Sequence, residues 1–294
     1  MKRKFSNILW ACGVSATLLM QSCSLDEVNP GGFTLENLGT TPAGYETLIN
    51  QCYFGLERQF YNGIDFMGFM EGNTDLWTAK TNQMGQNDNV FKFFAGAPNQ
   101  TFTNALWNAA YDGIGACNLA IETAPNCSFA TDAERNAKVA EAHFLRAVYY
   151  YNLVEMFGGV VKLTAVQKAN NYSPARTDVL EIYRDVIIPD LRFAAEWLPV
   201  GNYDADANPT KKSALGYLAK ACLATRQYDT TEFLQEGFDV AKKLIADCEN
   251  GGADYMTYMY ADFDDVFKEA NNKSNKEALW KYTVFGGKTH GSSN

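Results

Sequence analysis

The chain has 294 residues, 47% hydrophobic and 14% aromatic, which is enough apolar material for one large domain or two small ones and excludes disorder for most of the sequence. Acidic residues outnumber basic ones by 34 to 25, and without residues 1–22, which hold three of the basic residues, the net charge falls from −9 to −12. Such an acidic protein lacks the basic surface that phosphate backbones require, so nucleic acid is not an expected partner.

Residues 1–22 show the order of charge and hydrophobicity that an export signal requires. Lys2, Arg3 and Lys4 give a positive start. Residues 8–20 then form an uncharged stretch of 13 residues, a length typical of a signal peptide and short for a membrane span. We therefore predict a signal peptide over residues 1–22 and no transmembrane helix there.

The sequence that follows resembles a lipoprotein processing site. Residues 19–23, Leu-Met-Gln-Ser-Cys, resemble the lipobox of bacterial lipoproteins, which implies that Cys23 becomes the lipidated first residue. More than one acyl chain is needed for stable anchoring, since each buried methylene contributes about 0.8 kcal/mol. Residues 24–27, Ser-Leu-Asp-Glu, resemble the acidic signal that sends Bacteroidetes lipoproteins to the outer face of the outer membrane. We expect a lipid-anchored, surface-exposed protein; the alternative is an ordinary secretory signal with an incidental cysteine.

Most of the remaining sequence has the apolar period of amphipathic helices. Residues 23–41, rich in glycine and proline, are predicted to form a tether that leads to a helical domain over residues 42–294. Apolar residues in that domain recur at three- and four-residue spacing. The spacing predicts helices over residues 43–60, 103–123, 131–157, 177–198, 211–226 and 232–248.

Local signals mark the ends and faces of these helices. Thr131 stands three residues before Glu134 as a capping pattern, and Gly158 can adopt the positive φ that ends a helix. Pro189 is expected to kink the fourth helix or to divide it into two half-helices. Small residues on the second helix permit close packing, and the third, apolar on two sides, is expected to be sandwiched. The last helix is predicted to bury Leu234, Phe238, Ala241, Ile245 and Cys248.

Two segments depart from the helical period. Residues 61–100 have no sustained period but carry several aromatic residues, and we predict short strands or turns with a functional role because structureless loops of that length are uncommon. Residues 277–285 alternate and are β-rich, which predicts a strand. The predicted fold class is mainly α: tetratricopeptide-like helical hairpin repeats with long loops and a short β segment near the C-terminus.

Five cysteines remain once Cys12 leaves with the signal and Cys23 is lipidated. No CxxC motif or Cys/His cluster occurs, so neither a zinc site nor a full disulfide framework is encoded. We interpret the five as small buried hydrophobic residues, while a pair between Cys117 and Cys127 stays open if geometry allows it. They are Cys52, Cys117, Cys127, Cys222 and Cys248.

Several segments resemble the SusD/RagB family. Residues 140–160, AEAHFLRAVYYYNLVEMFGGV, are similar to its A-x-F-L-R-A…Y…L…F-G-x-V/I pattern. Residues 178–198 and 210–223 resemble its next two helices, and residues 275–280 resemble the short strand motif after them. The resemblance runs from Cys23 to the end of the sequence. The family is longer, so we expect the helical domain to be incomplete at its C-terminus.

The resemblance implies a function in nutrient uptake. The family captures a glycan at the cell surface and delivers it to a TonB-dependent, SusC-like transporter in the outer membrane, without chemistry on the ligand, so no enzyme activity is expected. One alternative is a tetratricopeptide-like scaffold that binds only protein. A less favoured one is a glycoside hydrolase, which would need two carboxylates facing one cleft.

A glycan site needs exposed aromatic rings for the sugar faces and polar groups for the hydroxyls. The family's corresponding loop can supply an aromatic platform, and residues 61–82 contain that mixture here. The alternative is that Trp77 plugs the core, because large aromatic residues are mostly buried. The candidate glycan-binding residues are Trp77, Asn73, Asp75, Lys80 and Asn82, with Tyr61 as a weaker candidate.

Other residues with chemical potential are interpreted as structural. His143 lacks a partner at four-residue spacing and is expected to be packed and hydrogen-bonded. Arg146 is expected to pair with a carboxylate or to cap backbone carbonyls.

Residues 204–208, Asp-Ala-Asp-Ala-Asn, mimic the start of an EF-hand loop. Pro209 stands at the glycine position and Leu215 at the glutamate position, which rejects an EF-hand. A looser calcium site stays open, and no other metal or cofactor is expected.

Overall fold

The computed structural model describes five stretches of the chain, all within one unit that runs Glu36–Asn294. The predicted signal peptide, Cys23 and residues 61–100 lie outside them. The described stretches are residues 39–60, 101–167, 174–201, 208–272 and 275–281, without the side chains of 57–60, 101–102 and 272.

Helices dominate these stretches. Each of the six predicted helices is present, with ends within two residues of the prediction, so the mainly α fold class is confirmed. In chain order they are α1 (Pro42–Phe60), α2 (Thr101–Thr123), α3 (Asp132–Phe157), α4 (Val179–Ile182), α5 (Ile188–Trp197), α6 (Lys211–Ala224), α7 (Leu234–Glu249) and the short α8 (Glu269–Asn272).

Small residues bring α1 and α2 into backbone contact. A Cβ placed on Gly55 would lie 3.0 Å from the Cα of Gly113 and 2.7 Å from the carbonyl oxygen of Ala109. A Cβ on Gly113 would lie 2.3 Å from the ring of Tyr149, which reaches over from α3. The Tyr149 hydroxyl donates to the carbonyl oxygen of Cys52 at 2.7 Å. The predicted small-residue face therefore admits both a neighbouring helix and a buried aromatic ring.

Helix α3 is buried on two sides, as its two apolar stripes predict. It packs against α1 and α2 on one side and against α5 on the other. Its N-terminus is capped as predicted: the Thr131 hydroxyl accepts from the Glu134 N–H at 3.1 Å, and the Glu134 carboxylate accepts from the Ala130 N–H at 3.1 Å. Gly158 ends the helix with φ 69°, a conformation that favours glycine. The family motif thus forms the centre of the helical layer.

Pro189 disturbs the fourth predicted helix, in which a π-helical turn lies between α4 and α5. The turn spans Tyr183–Ile187, and the N–H of Ile188 donates to the carbonyl of Tyr183. Proline has no N–H, and its ring would clash with the carbonyl four residues earlier, so the wider turn relieves both problems. The backbone stays helical from Val179 to Trp197, so the chain does not separate into two half-helices, and the expected disturbance takes the form of the π turn.

The predicted inner face of α7 is wrong. Phe238 and Ile245, from the middle of that face, are 58% and 59% exposed. A Cβ on Gly237 would lie 2.8 Å from the Cβ of Cys222, so the glycine side of α7 lies against α6. The helix carries two apolar stripes, and the one containing glycine permits the closer approach. The buried stripe is Gly237, Val240 and Leu244, with Asp247.

The described part of the predicted strand, residues 277–281, contains bends and no strand. Its backbone bonds to side chains of α6: the Leu279 carbonyl accepts from the Ser213 hydroxyl at 2.7 Å, and the Lys276 carbonyl accepts from the Lys212 ammonium at 3.1 Å. The Trp280 ring packs edge-on against Phe144 with centroids 5.0 Å apart. Within the described residues, the one β feature is an isolated bridge between Val160 and Thr177.

Candidate functional site

The predicted glycan-binding residues, Trp77, Asn73, Asp75, Lys80, Asn82 and Tyr61, all lie outside the described residues, so they stay predictions. The structure does describe the support from which their segment leaves and returns. Helix α1 ends at Phe60 and α2 begins at Thr101. Tyr45 near the start of α1 bonds to Ala120 near the end of α2, so the two helices are antiparallel. Both ends of residues 61–100 are therefore held at the same end of this helix pair.

An aromatic cluster packs close to that end of the pair. Trp107, six residues into α2 and about 9 Å along its axis, lies 5.0 Å from Tyr111 and 5.2 Å from Phe157 between ring centroids. The Arg176 guanidinium stands 5.6 Å above the Trp107 ring, a cation–π distance. Arg176 also donates to the Phe157 carbonyl at 3.2 Å. These contacts tie the start of α2 to the end of α3. No contiguous pattern in the sequence signals this cluster, because its members come from three separated segments.

The segment after α3, residues 160–167, is held by side chains. The Tyr150 hydroxyl accepts from the Leu163 N–H at 2.6 Å, and the Asn118 amide donates to the Leu163 carbonyl at 3.0 Å. The Val166 N–H donates to Glu122 at 2.7 Å. Backbone groups that a sheet would pair are thus satisfied by α2 and α3.

A buried ion pair lies behind this segment. The Nε and Nη2 atoms of Arg146 donate to the two carboxylate oxygens of Asp190 at 2.7 and 2.8 Å, the bidentate geometry that gives strong pairs. Nη1 of Arg146 donates to the Asn118 side chain at 2.8 Å. His143 Nδ1 lies 2.6 Å from Asp190, and its ring stacks 4.4 Å from Phe193. The predictions of a carboxylate partner for Arg146 and of a packed, hydrogen-bonded His143 are confirmed.

The charge state of Asp190 follows from two opposed effects. Burial acts to raise its pKa, but the hydrogen bonds and charge of Arg146, assisted by His143, outweigh burial and place the pKa below its ordinary value. The carboxylate is therefore ionised at neutral pH, and Arg146 occupies both of its oxygens. His143 and Asp190 resemble a catalytic dyad, but within the described stretches no hydroxyl or thiol hydrogen-bonds to the other ring nitrogen of His143. The hydrogen bonds of Asp190 and Arg146 instead hold helices α2, α3 and α5 together.

A cleft of about 600 Å³ opens beside the N-termini of α1 and α3. Two of the three carboxylates that line it, Glu46 and Glu141, are bridged by the Lys138 ammonium at 2.6 and 2.8 Å, and the third, Glu134, caps α3. The second oxygen of Glu141 accepts from the Tyr53 hydroxyl at 2.9 Å. Burial raises the pKa of Glu141, against the opposing effect of Lys138 and Tyr53. Glu141 thus has both oxygens engaged, so this pair does not supply the free acid and base that a hydrolase requires.

The five described cysteines carry free thiols. Cys52, Cys117, Cys127 and Cys222 are buried, which confirms the interpretation as small buried hydrophobic residues, and Cys248 is half-buried. Burial raises the pKa of the Cys117 thiol, and the nearby Cys52 of α1 adds to that effect.

Two further features are absent from the described residues. They contain no group of three or more His, Cys, Asp or Glu side chains that could hold a metal ion. In the same stretches, no helix is long and apolar enough to span a bilayer. Residues 204–207 of the EF-hand-like segment lie outside the described part of the chain.

The comparison with protein families identifies the class. Residues 36–223 match the SusD-like family model, which is described as starch-binding and associating with the outer membrane. Because the match covers more than half of the chain, the chain belongs to this family. The resemblance based on residues 140–160 is confirmed.

Individual relatives agree with this assignment. The SusD-like protein P2 of Formosa agariphila is 30% identical over 277 residues, which is 92% of this chain and 51% of that protein. A solved laminarin-binding SusD-like protein has a TM-score of 0.66 and 21% identity, covering 82% of this chain and 50% of that one. A structure solved with a xylogluco-oligosaccharide has a TM-score of 0.63 and 23% identity, covering 80% and 45%. These structures show the same helical fold, and this chain spans about half the length of its relatives.

Proposed function

We propose that this protein is a cell-surface lipoprotein that captures an oligo- or polysaccharide and delivers it to a TonB-dependent outer-membrane transporter. The match of residues 36–223 to the SusD-like family carries the proposal, because it includes both the helical layer and residues 61–100. The names of two structural relatives support a glycan ligand, since one binds laminarin and the other was solved with a xylogluco-oligosaccharide. The protein binds its ligand without turning it over.

Glycan contact in this proposal comes from residues 61–100. Trp77 stacks on a sugar face, while Asn73, Asp75, Lys80 and Asn82 bond its hydroxyls, and Tyr61 adds a second ring. The described helices support this role because both ends of the segment are held at one end of the antiparallel α1–α2 pair. A loop with fixed ends loses less conformational entropy on binding, which leaves more of the contact energy as affinity.

The Trp77→Ala substitution tests this assignment. Affinity electrophoresis through gels that contain individual polysaccharides should show retardation of the wild type by at least one of them. Removal of a central aromatic contact typically costs about 2 kcal/mol or more, so we expect affinity to fall roughly 30-fold. Trp197→Ala is the matched control, because Trp197 is half-buried against Phe193 on α5 and should leave retardation unchanged. Equal retardation of Trp77→Ala and wild type would remove Trp77 from the site.

The alternative functions give different results in the same samples. A protein-binding scaffold would show no retardation by any polysaccharide while retaining its protein partner. A glycoside hydrolase would release reducing ends from the polysaccharide that retards it. The bridging of Glu46 and Glu141 by Lys138 speaks against the hydrolase in the described cleft.

A further inference from the structure

The contact between α1 and α2 sets up an unexpected pair of side chains. A Cβ on Gly55 would lie 3.0 Å from the Gly113 Cα, so with a Cα–Cβ bond of about 1.5 Å the two Cα atoms lie within about 4.5 Å of each other. Since each Cα lies about 2.3 Å from its helix axis, the two axes are within about 9 Å of each other at this point, and the helices are in direct contact. We therefore expect inward-facing side chains one turn away from this contact to be neighbours.

Cys52 and Cys117 occupy these positions. Cys52 precedes Gly55 by three residues and Cys117 follows Gly113 by four, and in antiparallel helices both steps run in the same direction. Both side chains are fully buried. The Cys52 thiol donates to the Leu48 carbonyl at 3.3 Å, and Cys52 is near enough to Cys117 to contribute, after burial, to the raised pKa of that thiol. The structure thus places the two cysteines as neighbours across the helix interface.

We propose that Cys52 and Cys117 form a disulfide that ties α1 to α2 once the chain reaches an oxidising compartment. The proposal rests on export, because disulfides persist outside the cytoplasm. One thiolate attacks the disulfide of an oxidant, either a protein disulfide or oxidised glutathione, and forms a mixed disulfide. The second thiolate then displaces the oxidant, which leaves as a dithiol or as two thiols. Two electrons pass to the oxidant, and the protons lost by Cys52 and Cys117 end on its sulfur atoms.

The bond forms while the helices dock. In the folded protein neither thiol is accessible, and burial raises the pKa of Cys117, so the reactive thiolate is scarce. The bond closes a loop that contains all of residues 61–100, the segment proposed to contact glycan. Closure of so long a loop restricts the unfolded chain strongly and holds both ends of that segment together.

Peptide mapping tests the pairing independently of export. The full chain is refolded with reduced and oxidised glutathione, alkylated under denaturing conditions and digested without reduction. Chymotrypsin is required, because trypsin leaves Cys117 and Cys127 on one peptide between Lys92 and Arg135. We expect the peptides Ile49–Tyr53 and Asp112–Leu119 to be joined, two hydrogens lighter than their sum. Alkylation of both cysteines, or a link between Cys117 and Cys127, would overturn the proposal. Failure of glycan binding or of export leaves this result unchanged.

A second measurement uses stability. The thermal midpoint of the oxidised wild type should fall by about 10 °C when a reductant is added, given the length of the closed loop. Cys117→Ala, which suits the small-residue face of α2, should show no response to reductant. Cys222→Ala, at a buried site on α6, is the matched control and should respond as the wild type does. A wild type that is insensitive to reductant contradicts the proposal.

Discussion

At the scale of single residues, the clearest structural role belongs to Asp190. Its carboxylate receives both donors of the Arg146 fork and lies 2.6 Å from His143, and Arg146 extends the network to Asn118. Helices α2, α3 and α5 therefore meet at one buried charge. The motif residue Arg146 serves the fold of the layer that supports residues 61–100, rather than contacting a ligand itself.

Replacement of Asp190 by asparagine should be strongly destabilising. It leaves the buried Arg146 guanidinium without its counter-charge, which typically costs about 3–5 kcal/mol. We expect this loss in the free energy of unfolding measured by urea denaturation at neutral pH. Asp185→Asn is the control, because its pair with Lys162 is exposed and such pairs contribute about 0–1 kcal/mol.

The same variant should change the dependence of stability on pH. The pKa of Asp190 is lower in the folded state than in the unfolded state, so its contribution is fully present above about pH 4 and is lost as pH falls through the folded-state pKa. The wild type should therefore lose stability more steeply in acid than Asp190→Asn does. Parallel curves of unfolding free energy against pH for the two proteins would contradict this account.

Lys212 shows how a buried ammonium group can bind backbone carbonyls of segments that have no regular structure. Its ammonium donates to the carbonyls of Met256 and Lys276, both at 3.1 Å, and burial lowers the pKa of this lysine. Its side chain is fully buried near the start of α6. The contacts attach two loop segments to α6, one of them at Lys276, directly before residues 277–281.

At the scale of elements, α7 shows the limit of periodicity. Its sequence has two apolar stripes that both satisfy helical spacing, and the structure buries the one that contains Gly237. A glycine lets α7 approach Cys222 on α6, whereas Phe238 would hold the helices apart. Several large apolar side chains remain exposed as a result, among them Phe238 and Ile245.

Two alanine substitutions distinguish the faces of α7. Val240→Ala should destabilise the protein by about 1–3 kcal/mol, because it removes two buried methyl groups and leaves a cavity. Phe238→Ala should change stability by less than about 0.5 kcal/mol, as expected for an exposed site. Chemical denaturation of both variants measures the difference. A larger destabilisation by Phe238→Ala than by Val240→Ala would support the buried face predicted from the sequence.

At the scale of the whole molecule, the proposed function requires attachment to the outer membrane through Cys23. Cys23→Ala should abolish incorporation of a labelled fatty acid and move the protein from the membrane to the soluble fraction. Cys12→Ala is the matched control, since residue 12 leaves with the signal peptide and both properties should persist. Absence of label on the wild type, or its persistence on Cys23→Ala, would contradict the lipoprotein assignment.

The sequence by itself determined the helices, the capped start of α3, the disturbance of the helix at Pro189 and the family. These features depend on short-range physics: a 3.6-residue apolar period, a threonine that bonds to an N–H three residues on, and a proline without a donor. The family motif is likewise contiguous, because residues 140–157 lie in one helix and residues 158–160 follow it directly. Such local patterns can be recognised in the sequence without knowing which distant segments pack beside them.

Only the tertiary structure decided which partners these elements meet. Arg146 and Asp190 are separated by 44 residues, and the sequence offers many carboxylates without indicating which one pairs. The buried face of α7 depends on the fit of Gly237 against Cys222 of α6. Likewise, Cys52 and Cys117 are neighbours because α1 and α2 are in contact at Gly55 and Gly113. Helical periodicity specifies that a face is apolar, but the surface that covers it is selected by steric fit between segments distant in the chain.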